Sequence, residues 1–468
     1  MTSSIDQSSE AAGREDAPYM IISADDHAGP RPSRFLRQYC PQKYLEQFDD
    51  FCRQQDETSA RQDELIAAAR ARIAASPETA TVKDLSYDLH GKCRDCEGHH
   101  DPHVRLRDMD ADGIAAQVIF AGGQNGTDLP WSGIAWNAGP ADSPADMRAA
   151  AYHMWNQWLA EFISVAPERF AGVMQIPIWD LEATLREVEW CANAGLRVVN
   201  LPAPRDDYLP YTDLAYEPFW ALCEEVGATL ATHAGASSPY GDDVRKGSLL
   251  RAAEFHWFGN RGLTQLIFGG VFERYPALKF VLTEQRIDFA PMMVKHLDSI
   301  YDNISATTQE ARKEVPGGIL TQVNILFGPA EHDLVTDPNE PDALPRRPSD
   351  YWRDHCYLSG SFLAPFEVAL RHEVGIGNLM WGADYPHSEG TWPDTRISLR
   401  HTFAGLPVDE VRTILGETAI GVYHFDREAL RKVADRIGPR PADIDVPLPP
   451  EDIPLERNWA FREAGNFS

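Results

Sequence analysis

The chain has 468 residues, 43% of them hydrophobic, enough to bury the core of one large domain with insertions or of two domains. Its formal charge of −28 argues against nucleic acid or an anionic membrane surface as a partner and for a soluble protein. Seven cysteines without framework spacing lead us to expect reduced thiols in a cytoplasm. Residues 1–17 hold no apolar stretch of a secretory leader, and no run approaches the ~18 apolar residues of a spanning helix.

In chain order, residues 1–17 are polar, with the composition of a disordered tail. Residues 20–24 predict a first strand that runs out into Asp25, Asp26 and His27. Residues 31–104 show no clear alternation of strand and helix beyond a helix over 58–75, and form a long insertion after strand one. From 104 the rhythm is regular. A short helix at 104–113 closes on a glycine, and strands follow at 117–120, 170–178, 197–201, 229–233, 279–284, 356–359 and 379–383. Helices are expected at 147–166, 181–194, 217–226, 249–273 and 289–302, the first of them strongly amphipathic. The proline-rich stretch 336–349 reads as a surface excursion, and 439–468 as a proline-rich extension over the surface. Eight buried strands alternating with helices fit a (β/α)8 barrel over 18–438 better than an open doubly wound sheet. No G-x-G-x-x-G follows a strand and opens a helix, which weakens the dinucleotide-binding alternative.

In such a barrel the chemistry sits at the C-terminal ends of the strands. There the chain places Asp25 and His27 after strand one, His233 at strand five, Glu284 at strand six, and Asp384 with His387 after strand eight. Asp25-x-His27 puts two ligand types on one side of an extended backbone, because strands repeat every two residues. A lone histidine there is usually an ordinary hydrogen-bonded residue, and a lone aspartate a turn or helix cap. The joint pattern makes an N and O ligand set suited to one or two divalent ions such as Zn, Fe or Mn.

Other stretches carry two readings each. His90-x-x-Cys93-x-x-Cys96-x-x-His99 has zinc-loop ligand types, or is a polar loop near the barrel mouth. Arg105 and Arg107 can fork a substrate carboxylate, or pair with Asp108, Asp110 and Asp112. Trp392 and Trp381 flank the Asp384 stretch as pocket walls, with core packing equally open to Trp381.

The local sequences Ile22-Ser-Ala-Asp-Asp-His27, Arg105-Leu-Arg-Asp-Met-Asp-Ala-Asp-Gly113, Leu266-Ile-Phe-Gly-Gly-Val-Phe-Glu-Arg-Tyr-Pro276 and Gly382-Ala-Asp-Tyr-Pro-His387 resemble the amidohydrolase superfamily. More narrowly, they resemble its branch that includes aminocarboxymuconate-semialdehyde decarboxylase. The resemblance spans about 20–425 without much of the 31–100 insertion. It implies a metal-dependent distorted (β/α)8 TIM barrel, with metal contacts from Asp25, His27, His233 and Asp384, and a homodimer. Two departures stand out: Glu284 occupies the strand-six position where those decarboxylases commonly carry a histidine, and the first motif is Asp-x-His. A carboxylate at strand six favours a second metal. The expectation is therefore a hydrolase that cleaves an amide, ester or thioester of a carboxylic acid with a metal-activated water. Asp384 would take the proton, and His233 or His387 would steady the oxyanion. Non-oxidative decarboxylation is the alternative, and a di-metal oxygenase on the same ligands a further one.

Overall fold

The computed structural model describes residues 16–122, 129–132, 143–205, 208–233, 245–311, 344–453 and 460–461. Most of the 1–17 tail, the 336–343 part of the expected excursion, and 454–459 and 462–468 of the extension lie outside these residues.

Eight parallel strands pair in sequence order: β1 (Ile21–Ala28), β2 (Ile114–Ala121), β3 (Phe170–Gln175), β4 (Val198–Asn200), β5 (Thr229–His233), β6 (Lys279–Thr283), β7 (Cys356–Ser361) and β8 (Leu379–Gly382). These strands are apolar runs rather than alternating ones, because both of their faces are covered. Ile22, Ala116, Val118, Val173, Ala231, Val281 and Met380 fill the barrel interior as one cluster, and the helices cover the outside with another. The ring is shut by backbone bonds just past the end of β8. The Asp384 amide donates to the Asp25 carbonyl at 2.8 Å and the His27 amide to the Tyr385 carbonyl at 2.6 Å. Gly382 permits this approach, since a Cβ there would stand 2.8 Å from the Asp25 Cβ.

Among the helices are α1 (Leu45–Ala75), α2 (Val82–Arg94), α3 (Pro102–Asp112), α4 (Ala145–Ile163), α5 (Leu181–Asn193), α6 (Glu217–Glu225), α7 (Gly247–Phe268), α8 (Ala290–Ala311), α9 (Pro348–His355), α10 (Thr395–Phe403) and α11 (Arg427–Ile437). The expected elements recur with shifted ends. Strand β3 stops at Gln175, ahead of Pro177, which has no N–H to give a ladder. Strand β7 runs two residues further than expected, to Ser361. The helix expected at 58–75 begins at Leu45, because Phe48, Cys52, Ile66 and Ala69 bury a thin stripe along an otherwise charged rod. Helix α2 folds back on α1 through Arg70–Asp88 and Arg72–Asp84, and starts with a capping box between Thr81 and Asp84. Residues 441–447 run beside α10, where Arg400 donates to the carbonyls of Val446 and Pro447. Among the described residues no helix is long and apolar enough to cross a membrane.

Candidate metal centre and active site

The strand ends bring the six expected ligand candidates together. Asp25 and His27 stand two apart on β1, and both are fully buried like the rest of that strand. His233 is the last residue of β5, Glu284 follows β6, and Asp384 and His387 follow β8. Asp384 and Glu284 both adopt positive φ, 58° and 53°. Such left-handed backbone in a non-glycine residue costs about 1 kcal/mol or more and tends to occur where a site demands it.

The donor atoms converge closely. Asp25 Oδ1 lies 3.5 Å from His27 Nε2 and 3.3 Å from His233 Nε2, and those two nitrogens are 3.3 Å apart. Asp384 Oδ1 lies 3.3 Å from His27 Nε2 and 2.9 Å from His387 Nδ1. The His27 and His387 rings stack at 4.1 Å. Beyond this set, Glu284 Oε2 is 3.6 Å from His233 Nδ1, and Glu389 Oε1 is 3.9 Å from His387 Nδ1.

These distances test the fit to a cation. Donors held about 2.0–2.1 Å from one ion stand about 3.0–3.4 Å apart in octahedral or tetrahedral coordination. Asp25 Oδ1, His27 Nε2 and His233 Nε2 keep nearly that spacing among themselves, and Asp384 Oδ1 keeps it to His27 Nε2, so that His27 joins two triads, Asp25–His27–His233 and His27–Asp384–His387. Asp25 Oδ1 and both Asp384 oxygens are buried and accept no well-aligned hydrogen bond, which is costly without a cation among them. The donor set fits a divalent metal. Glu284, Asp384 and Glu389 form a second group, with one oxygen of each within 4.8 Å of the others.

Electrostatics follow from burial and these neighbours. Burial opposes ionisation of Asp25, yet His233 and His27 beside it hold its carboxyl below the usual carboxylate range. Burial opposes the charge on Asp384 as well, and His387 and His27 outweigh it. Glu284 is pushed well up, by burial and then by the negative charge of Asp384 and Asp25. Burial disfavours the cationic form of His27, but Asp25 and Asp384 raise its pKa well above the ordinary value. A bound cation would lower all of these values.

Other expected site residues stand apart from the cluster. Arg105 is 0% exposed on α3; it donates to the His27 carbonyl and lies 4.1 Å from the centre of the Tyr385 ring. Its Nη2 is taken by that carbonyl, while Nε and Nη1 are buried without a hydrogen-bond partner among the described residues. Arg107 is exposed. Trp392 is half-buried, its ring edge-on to Tyr385 at 5.1 Å, and Trp381 is core. The Cys93, Cys96 and His99 side chains do not gather as a metal group among the described residues. His99 Nε2 meets the Cys93 carbonyl at 3.1 Å, and Cys96 Sγ meets Tyr385 Oη at 2.8 Å. A cleft of about 530 Å³ between this turn and α1 is lined by residues such as Arg31, Arg34, Arg94 and His100, and by none of the six ligand candidates.

Three residues around the centre escaped the sequence reading. Ser361, at the end of β7, donates to Asp25 Oδ2 at 2.5 Å. Its signal was available, as a hydroxyl at a strand exit. Glu389 and Phe120 had none. Glu389 lies in a loop, and Phe120, edge-on to His233 at 5.0 Å, looked like one more core residue of β2.

Comparison with known proteins agrees with this picture. A family model described as amidohydrolase matches residues 95–425. Gamma-resorcylate decarboxylase of Polaromonas sp. (strain JS666) is 24% identical over 259 residues, covering 52% of this chain and 69% of that protein. Among solved structures, the dihydroxybenzoic acid decarboxylase of Polaromonas sp. JS666, with bound manganese and the inhibitor 2-nitroresorcinol, superposes with a TM-score of 0.51 at 17% identity. That match covers 88% of this chain and 99% of the other. A 5-carboxyvanillate decarboxylase mutant from Novosphingobium aromaticivorans, with manganese and 3-methoxy-4-hydroxy-5-nitrobenzoic acid, gives 0.54 at 15% identity over 87% and 97% of the two chains. At these identities the structural likeness speaks for the barrel fold. The family match spans well over half of the chain and makes this protein a member of the amidohydrolase family.

Proposed function

We propose that the protein is a metal-dependent decarboxylase of a small aromatic carboxylic acid. The observation that carries this reading is the 259-residue match to a protein named gamma-resorcylate decarboxylase. It moves the weight from hydrolysis, which the strand-six carboxylate favoured, to the alternative. Ligand types alone do not choose between the two reactions, since one fold and one ion serve many chemistries.

In this reading Asp25, His27, His233 and Asp384 would hold the ion, with Mn ahead of Zn or Fe by analogy with the manganese in two fold relatives. The ion would supply positive charge that binds and orients the substrate carboxylate. The remaining work falls to side chains. Loss of carbon dioxide leaves the electron pair of the broken C–C bond on the ring carbon, which must take up a proton. Asp384, 2.9 Å from His387 Nδ1, is placed to deliver that proton and be recharged through the imidazole. Glu284 and His233 line the same wall, and Phe120 presents an aromatic edge behind His233. A homodimer in the cytoplasm belongs to the same reading; light scattering would test the dimer.

Hydrolysis remains the second reading because Glu284, Asp384 and Glu389 come together and a second ion there would activate water. The oxygenase alternative needs two ions as well and stands or falls with the same metal count. The test is to load the purified protein with Mn2+ and offer hydroxylated benzoic acids alongside aryl esters, thioesters and amides. Chromatography should show a benzoate converted to its phenol. Cleavage of an ester, thioester or amide with every benzoate untouched would reverse the assignment.

A further inference from the structure

Behind the candidate metal ligands, one residue is gripped at four points, two on its backbone and two on its side chain. The Tyr385 amide donates to Asp26 Oδ1 at 2.8 Å, and its carbonyl accepts from the His27 amide at 2.6 Å. Its ring lies on the Arg105 guanidinium at 4.1 Å, and its hydroxyl donates to Asp108 Oδ2 at 2.5 Å. Arg105 and Asp108 stand three apart on α3 and so share a helix face. The same Arg105 donates to the carbonyl of His27. Gly98 closes the far side, since a Cβ there would collide with the Tyr385 hydroxyl. Tyr385 follows Asp384 directly, and His27 is itself a ligand. The face of α3 therefore holds the ligand contributed after β8 against those contributed by β1.

Resting on the reading that this cluster holds a cation, we propose that Arg105 and Tyr385 are positioning residues that set the affinity of the metal centre from behind, through the carbonyl of His27 and the backbone of Asp384. Partners of this kind typically govern metal affinity by about 10- to 100-fold, because they fix the angle at which ligands meet the ion. Neither residue is among the candidate ligand groups. A guanidinium is required here, since its flat face covers the Tyr385 ring while an edge N–H reaches the carbonyl, and a lysine ammonium cannot do both.

The test is titration of metal-stripped protein with Mn2+, followed by calorimetry, in wild type, Tyr385→Phe and Arg105→Lys. Thermal melting of each metal-free protein is measured in parallel. Tyr385→Phe keeps the ring and removes one oxygen; its Kd for Mn2+ should rise about tenfold with the metal-free fold retained. Arg105→Lys should weaken binding at least as much. Wild-type Kd values with only a lower melting temperature would make both residues ordinary packing and overturn the proposal. Should Arg105→Lys fail to fold, Tyr385→Phe decides alone. A wild type that binds no divalent ion would overturn the metal centre itself, and this role with it. Binding of Mn2+ alone is read without any substrate, so an error in the reaction class leaves the result intact.

Discussion

Replacing Ser361 with alanine should weaken metal binding without touching a ligand atom. Ser361 Oγ is the donor to Asp25 Oδ2, and both residues are buried, 5% and 0% exposed. No water can take over the lost bond without entering the barrel mouth. A hydrogen bond to a buried charged group contributes about 1.5–3 kcal/mol. That loss divides between two measurable quantities. The part present in the metal-free protein lowers its stability. The part that depends on Asp25 presenting Oδ1 at the correct angle lowers metal affinity, and at about 1.4 kcal/mol per tenfold the whole loss would be roughly 10- to 150-fold in Kd. We expect a Kd for Mn2+ raised about tenfold, with a small fall in the melting temperature of the metal-free protein. Competition with a chromophoric chelator measures the first and circular dichroism the second. Ser361→Ala with both quantities at wild-type values would show that the bond does not orient Asp25.

Four further outcomes follow from the same geometry. Asp384→Asn should abolish turnover with the fold retained, because it removes the proton carrier at nearly constant shape; activity near wild type would refute its role. His27→Ala and His233→Ala should each lose most of the metal on elemental analysis, and full retention in both would place the ion elsewhere. Glu284→Gln separates the two reaction classes: loss of about one of two metal equivalents supports a two-ion hydrolytic centre, and unchanged metal with reduced rate supports the single-ion decarboxylase. Asp112, pushed up to about 7 by burial at the end of α3, binds its proton more tightly in the folded than in the unfolded chain. It therefore adds stability that is full below about pH 4 and is lost as the pH rises to about 7, on the order of 4 kcal/mol in all. Asp112→Asn should flatten that slope in urea titrations between pH 4 and 7, and a wild-type slope in the variant would refute it.

The barrel was legible because each strand is a short apolar run closed by a breaker, and the cluster of candidate ligands because each candidate sits at or just past the end of such a run. His233 closes β5 at the expected residue. The front half of α1 was missed for the converse reason: between Asp49 and Glu64 its buried positions are outnumbered by charges, so no stripe stands out. Contacts between distant segments left no local trace. Arg105 was read as a substrate fork from its charge alone, and only the fold shows Tyr385 lying over it. The leaning toward hydrolysis came from the carboxylate of Glu284, a ligand type that constrains the ion more than the reaction.

The ring of strands is closed by the same residues that we propose as ligands. The amides of His27 and Asp384 bond across the join between β1 and the segment after β8, so the last stitch of the barrel and the grip on the ion are mechanically one object. Opening the join pulls Asp25 and His27 away from Asp384, and filling the centre draws them together. Occupancy at the mouth thus becomes a brace for the whole cylinder, tightening with ion concentration. Deuterium uptake at those two backbone positions should slow as Mn2+ is added, reporting from inside the wall how firmly the cylinder is shut.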